Sequence, residues 1–236
     1  MATLAQPDKA RLTFWQKMLA GVSLFIIIAF AQFSLRGMVD YVHAPLVMHL
    51  HAIVMTGWLG LVVTQSLLAT RGGIALHRSL GWASAVMVPL IVVLASMTCL
   101  AALEQRIYPP FFTPPYFVAL IHIGIVIFAL VMAAAIGLRR RSDWHRRLMV
   151  GATVLIMDPA LGRVLPMPFI MPWGEWLSML VQLGVIALVW RHDRRELGHV
   201  HPATTVIALA VMLSHALVEL LARTPAWIAL TAPLAG

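Results

Sequence analysis

Four histidines raise the first chemical question of this chain. His51 and His122 fall inside long apolar runs, while His77 and His145 each open the pattern H-R-x-L at the start of another. Imidazole titrates near neutral pH and ligates metals through either ring nitrogen. His51 leads through an apolar run to His77, His122 leads through another to His145, and both following runs carry a proline further in, Pro89 and Pro159. The chain thus states one design twice. If the runs alternate across a membrane, His51 and His122 share one depth and His77 and His145 share another, on the opposite face. Two imidazoles from facing helices at one level are what a b-type haem takes as axial ligands, and helix bundles are a natural place to build such a site. Two levels predict two haems: His51 and His122 on one iron, His77 and His145 on the other, with Arg78 and Arg146 beside the inner pair as cofactor-binding residues. The expected activity is transmembrane electron transfer, as a membrane oxidoreductase with quinone or a small reductant as partner.

A second set of ionisable groups supports a different, haem-free reading. Asp158 stands in IMDPALGR beside Pro159, which frees a backbone carbonyl in the preceding turn. Arg163 lies five residues on, about 140° around a helix, so Asp158 and Arg163 are expected to meet different helices. His215 and Glu219 are at i, i+4 and share a face. Such a pair within an apolar run can relay protons, ligate a metal or simply hydrogen-bond. Convergence of His122, Asp158, His215 and Glu219 would give zinc or iron a closed set of N and O ligands, or give a lipid-like substrate a polar centre. Against the metal, no two histidines stand at H-x-x-x-H, and the clustered boxes of a di-iron hydroxylase are missing. The only lysines, Lys9 and Lys17, leave no mid-span Schiff base for retinal.

Each of these residues also has a structural reading. An H-R pair at the mouth of a span serves as an interfacial anchor whose arginine reaches the headgroups. A neutral imidazole inside a span is satisfied by one interhelical hydrogen bond. His49, two residues from His51 on another helical face, competes with it for the functional role, and His43 reads as loop. Met167 and Met171 can be read as copper ligands, but the fourteen methionines are scattered, as packing residues are. The single cysteine, Cys99, admits no intramolecular disulfide.

The elements that must position these groups follow from composition. Of 236 residues, 61% are hydrophobic and 11% charged, and the mean hydropathy is +0.89. Soluble domains run at about 45–50% apolar and about 25% charged. The chain therefore reads as an integral membrane protein of all-α class. Runs near the length that crosses a bilayer fall at about 17–35, 45–69, 79–103, 116–138, 147–165, 174–190 and 203–222. Sorted by alternate loops, thirteen of the seventeen basic residues fall on one side, Lys9 among them. Arg36, Arg106, Arg163 and Arg223 fall on the other. The positive-inside rule then predicts seven spans in a bacterial inner membrane, with the N-terminus cytoplasmic and the C-terminus outside. The net charge of +8 is an orientation signal on this reading, and no nucleic-acid partner is expected. The triplet Ala29-Phe30-Ala31 raises a cleaved signal peptide, and the start at Met1 argues against removal. Residues 1–236 form one helical domain, with 45–165, spans two to five, as its working core. Lipid is the expected surroundings, and small residues such as Gly57, Gly60 and Gly151 would also suit a subunit of a larger membrane complex.

The order of the four histidines resembles the transmembrane ascorbate-reducible diheme b cytochromes. In that family a four-helix core pairs histidines of alternate helices, one haem per face. The resemblance covers residues 45–165 and implies His51 and His122 as outer ligands, His77 and His145 as inner ones. At the level of letters the chain also resembles a group of uncharacterised bacterial polytopic membrane proteins with H-x(6)-W-x(6)-Q followed by H-R-x-L-G, here His51, Trp58, Gln65, His77, Arg78, Leu80 and Gly81. That second resemblance implies a membrane topology and no function.

Overall fold

In hydrocarbon every backbone N–H and C=O must be satisfied within the protein, so long apolar runs become helices. A computed structural model describes residues 11–235, which leaves Lys9 outside the described residues. Among these residues every regular element is a helix: α1 (Phe14–Leu35), α2 (Leu46–Thr70), α3 (Ile74–Glu104), α4 (Pro114–Gly137), α5 (Ser142–Leu155), α6 (Asp158–Val164), α7 (Met167–Ile170), α8 (Gly174–Leu197), α9 (Pro202–Leu221), α10 (Pro225–Thr231) and a final 3₁₀ turn. Five of them, α1, α2, α3, α4 and α9, are long and apolar enough to cross a membrane. Leu24, Ile28, Val86, Leu130, Leu209 and Leu220 are exposed on those helices, a surface suited to lipid chains.

The run expected at 147–165 is not one helix. Pro159 lacks the N–H that a continuous helix needs and crowds the carbonyl four residues back. The chain accordingly leaves α5 after Leu155 and restarts at Asp158 as the short α6. The run expected at 174–190 continues as α8 to Leu197, through the charged stretch RHDRREL. It stops at Gly198, whose φ of +75° is the left-handed closure that glycine makes at little cost.

α4 occupies the middle of the packing, against α3, α5 and α9, while α1 lies along α2, α5 and α6 and α8 lies along α9, α5 and α6. At the centre Trp58 and Phe128 are fully buried and meet edge to face, ring centroids 5.9 Å apart. α1 begins with a capping box, Thr13 with Gln16, and the Gln16 amide also reaches the Thr70 hydroxyl at 2.6 Å and the Ser66 carbonyl at 3.2 Å on α2.

At the arginine-rich end one basic residue does something other than face headgroups. Arg147, counted above among the basic residues of one side, is 1% exposed and forms an ion pair with Asp193, which is 0% exposed. Its Nε and Nη2 reach Oδ1 of Asp193 at 3.0 and 2.5 Å. The other carboxylate oxygen accepts from the Thr204 hydroxyl at 2.5 Å and from the His201 N–H at 3.2 Å. This cluster ties α5, α8 and α9 together beneath the surface.

Candidate functional site

At the opposite end of the bundle, four helices bring ionisable side chains together. Tyr116 stands in the first turn of α4, Glu175 in the first turn of α8, His215 and Glu219 near the end of α9, and Asp158 at the start of α6. His215 Nδ1 lies 2.7 Å from Glu175 Oε1, with both side chains almost wholly buried, at 3% and 4% exposure. The Tyr116 hydroxyl lies 3.0 Å from Glu219 Oε1 and 3.3 Å from Glu175 Oε2. A phenol has one proton to donate. Its oxygen is therefore placed to give that proton to one carboxylate while accepting from the other in its protonated form. Glu219 also meets the guanidinium of Arg223, which is largely exposed. The result is a connected series, Arg223, Glu219, Tyr116, Glu175 and His215, running from the surface into the bundle.

Beyond His215 lies a cavity of about 20 Å³, lined by Asp158, Glu175, Gln182, Ser214 and His215 with Leu120, Gly124, Leu155 and Val218. Two buried acceptors on its wall, Asp158 Oδ1 and Gln182 Oε1, have no hydrogen-bond partner. Arg163 does not pair with Asp158. It donates to the Pro159 carbonyl at 2.7 Å and lies over the Phe30 ring at 4.0 Å, as expected from its angular offset.

His122 does not join this cluster. A carbonyl only accepts, so Nδ1 carries the proton given to the Val118 carbonyl at 2.9 Å, and Nε2 accepts from the Ser96 hydroxyl at 3.0 Å. Its side chain is thereby tied to α3. Among the described residues no group of three or more His, Cys, Asp or Glu is arranged to hold a metal ion, so the closed set of His122, Asp158, His215 and Glu219 is not assembled.

The two H-R-x-L histidines behave alike. His77 donates Nδ1–H to the Gln65 carbonyl of α2 at 3.2 Å, and His145 donates to the Ala135 carbonyl of α4 at 2.8 Å. The Gln of the H-x(6)-W-x(6)-Q pattern thus receives the histidine that follows it. His145 is held below the usual imidazole range, first by burial and also by the nearby His77, against the opposing pull of the Ala135 carbonyl. Arg146 lies 4.9 Å from the Trp15 ring centroid, and Arg78 is exposed. In the first half of α2, His51 has its Nδ1 buried without a partner, and no hydrogen bond joins it to His122 among the described residues. His43 is paired with Asp40 in an exposed loop.

Spacing along the chain singled out Asp158, His215 and Glu219 and missed Glu175, Tyr116 and Gln182. Glu175 reads locally as an acidic residue in a helix's first turn, and Tyr116 as an interfacial aromatic. The signal for Glu175 was its position as the sole carboxylate of an otherwise apolar run. The chain was compared with protein families, curated proteins and solved structures. None of the three comparisons finds a match.

Proposed function

We propose that this is a seven-span protein of the bacterial inner membrane that takes up protons from the outer face into a buried His–carboxylate–tyrosine relay. The spans are α1, α2, α3, α4, α5 with α6, α8 and α9. The thirteen-to-four sort of basic residues supports a cytoplasmic N-terminus and an outward-facing C-terminus. On that orientation Arg223 marks the outer mouth. The observation that carries the reading is the Tyr116 hydroxyl between two carboxylates, Glu219 on the surface side and Glu175 on the buried side, with His215 on Glu175. Ionisable groups are costly within a membrane and mark proton pathways when they pair with one another. Glu219 collects a proton at the mouth, Tyr116 accepts it while releasing its own to Glu175, and the Glu175–His215 pair holds it inside. The test is Tyr116→Phe, followed by rapid-scan infrared spectroscopy of the carboxyl C=O stretch after a drop in pH. The expected result is a slowing of at least about tenfold, the effect of about 1.4 kcal/mol on a barrier, with unchanged amplitude. An unchanged rate would refute the relay.

The matching geometry of His77 and His145 favours a second reading. A metal-binding histidine characteristically gives its other ring N–H to a backbone carbonyl, which fixes the tautomer and turns the free nitrogen to the metal. Both residues do so. They fit the ligand set of a b-type haem at the inner level, with quinone or a small reductant as partner; such a haem supplies one-electron chemistry when bound. The outer pair fits less well, because His122 has both nitrogens engaged and His51 is not joined to it. The visible spectrum of the purified protein before and after dithionite tests this reading. A b-type spectrum lost in His77→Ala and His145→Ala supports it, and a colourless protein from haem-replete cells ends it.

A further inference from the structure

We infer that Asp158 is the terminal proton acceptor of this site, joined to the Glu175–His215 pair by one water held between Asp158 and Gln182. This inference rests on the relay reading for its supply of protons, but its structural grounds are separate.

The cavity beside Asp158 has a volume of about 20 Å³. A buried water needs about 10–15 Å³ on this measure and two to four polar partners. Two acceptors on the wall lack partners, Asp158 Oδ1 and Gln182 Oε1. Gln182 is 1% exposed, so no outside solvent satisfies it. One water has two O–H groups, one for each acceptor, and its own oxygen is left to accept from Ser214 or His215 on the same wall. Two buried acceptors left unmet would each forfeit the hydrogen bonds they make to water in the unfolded chain. The broken helix is what makes the site. A continuous helix through Pro159 would keep the turn before Asp158 closed, whereas the break sets this carboxyl at the head of α6, about 10 Å of helix from that segment's far end.

The ionisable groups around Asp158 come from three neighbours. Glu175 stands on α8, His215 and then Glu219 on α9, and Tyr116 on α4 beyond Glu175. α4 and α5 present only Leu120, Gly124 and Leu155 to the cavity itself. On its own helix Arg163 is turned toward Phe30 and Phe33 of α1. The transfer is a proton shift with no change of oxidation state. The Asp158 carboxylate takes a proton from the water, and the water takes one from the Glu175–His215 pair. That pair is refilled through Tyr116, which draws on Glu219.

The experiment is infrared difference spectroscopy between acid and neutral pH on the full chain in lipid vesicles, repeated in ¹⁸O-labelled water. Wild type is expected to show a protonated-carboxyl C=O band and a water O–H band that shifts with the oxygen isotope. Asp158→Asn should remove that carboxyl band, Asp158→Glu should restore one, and Gln182→Leu should remove the water band. Retention of the carboxyl band in Asp158→Asn, or of the isotope-shifted band in Gln182→Leu, overturns the inference. Near-UV circular dichroism matching wild type shows that the variants are folded, and the Asp158→Glu rescue decides the case if Asp158→Asn is not. If Tyr116→Phe has no kinetic effect while these bands behave as stated, the surface relay fails and the Asp158–water site stands.

Discussion

Replacing Asp193 by Ala should be the most damaging single change at the arginine-rich end of the bundle. The substitution leaves Arg147, 1% exposed, with its charge buried and only the Asp143 carbonyl, at 2.8 Å, and the face of the Trp15 ring, 4.9 Å from its centroid, to meet it. Removing one partner of a buried ion pair costs about 3–5 kcal/mol, because the other charge stays buried and unpaired. At about 1.4 kcal/mol for each factor of ten, the folded-to-unfolded ratio should fall by roughly two to three and a half orders of magnitude. The double variant Arg147→Met/Asp193→Leu removes both charges, which is often neutral or even stabilising. Here it also strands the Thr204 hydroxyl and the His201 N–H, at about 1–3 kcal/mol each. The double variant should therefore sit closer to wild type than the sum of the two single ones. The assay is reversible unfolding in mixed micelles, read by the fluorescence of the eight tryptophans. A loss below about 1 kcal/mol for Asp193→Ala would refute the argument. The same pair fixes an acid limb. Burial pushes the Asp193 carboxyl up, but Arg147, Thr204 and the His201 N–H outweigh it and hold it below its ordinary value. A carboxyl lowered in the folded state stabilises the protein above the unfolded value, about 3.9. That contribution is lost as pH falls through the folded value, and Asp193→Ala should lack this limb.

Two further substitutions test the packing that holds the site. Gly151→Val should destabilise by at least about 1–3 kcal/mol, the usual cost of overpacking. A Cβ there meets the Ile207 side chain at 2.5–2.7 Å, and Ile207→Ala should recover part of the loss in the same unfolding assay. Gln16→Leu removes the side-chain half of the capping box, the bond from the Thr13 N–H to Gln16 Oε1, together with the tie to Thr70 and Ser66. Each hydrogen bond lost contributes about 0.5–1.5 kcal/mol, so the expected signature is a lower unfolding midpoint with faster amide exchange in the first turns of α1, and an unchanged exchange profile would contradict it.

The helices were legible because apolar length is a local property: the runs at 17–35, 45–69 and 203–222 became α1, α2 and α9 within a few residues at each end. The i, i+4 spacing placed His215 and Glu219 on one face, and the 140° offset separated Asp158 from Arg163, because both follow from helix geometry alone. The break at Ile156 and Met157 was only half legible. Pro159 announced freed carbonyls, but proline kinks some helices and divides others, depending on what packs around it. Arg147 was read by its neighbours in the arginine-rich stretch, and its burial depends on an Asp 46 residues away. The role of Glu175 was illegible for the same reason, although its charge stood alone in an apolar run. Its partners lie on α4 and α9, and no spacing within α8 reveals them. His122 looked like a ligand by depth, yet a serine on α3 claims its free nitrogen.

The central claim is that Tyr116 carries protons between Glu219 and the Glu175–His215 pair. The most direct measurement is the acid-minus-neutral infrared difference spectrum of the reconstituted protein, taken in H₂O and D₂O for wild type and for Tyr116→Phe. The account expects a buried carboxyl band in wild type that shifts in D₂O and appears at least about tenfold more slowly when the phenol is removed. A spectrum without any such band, or one whose band appears at an unchanged rate in Tyr116→Phe, would contradict it.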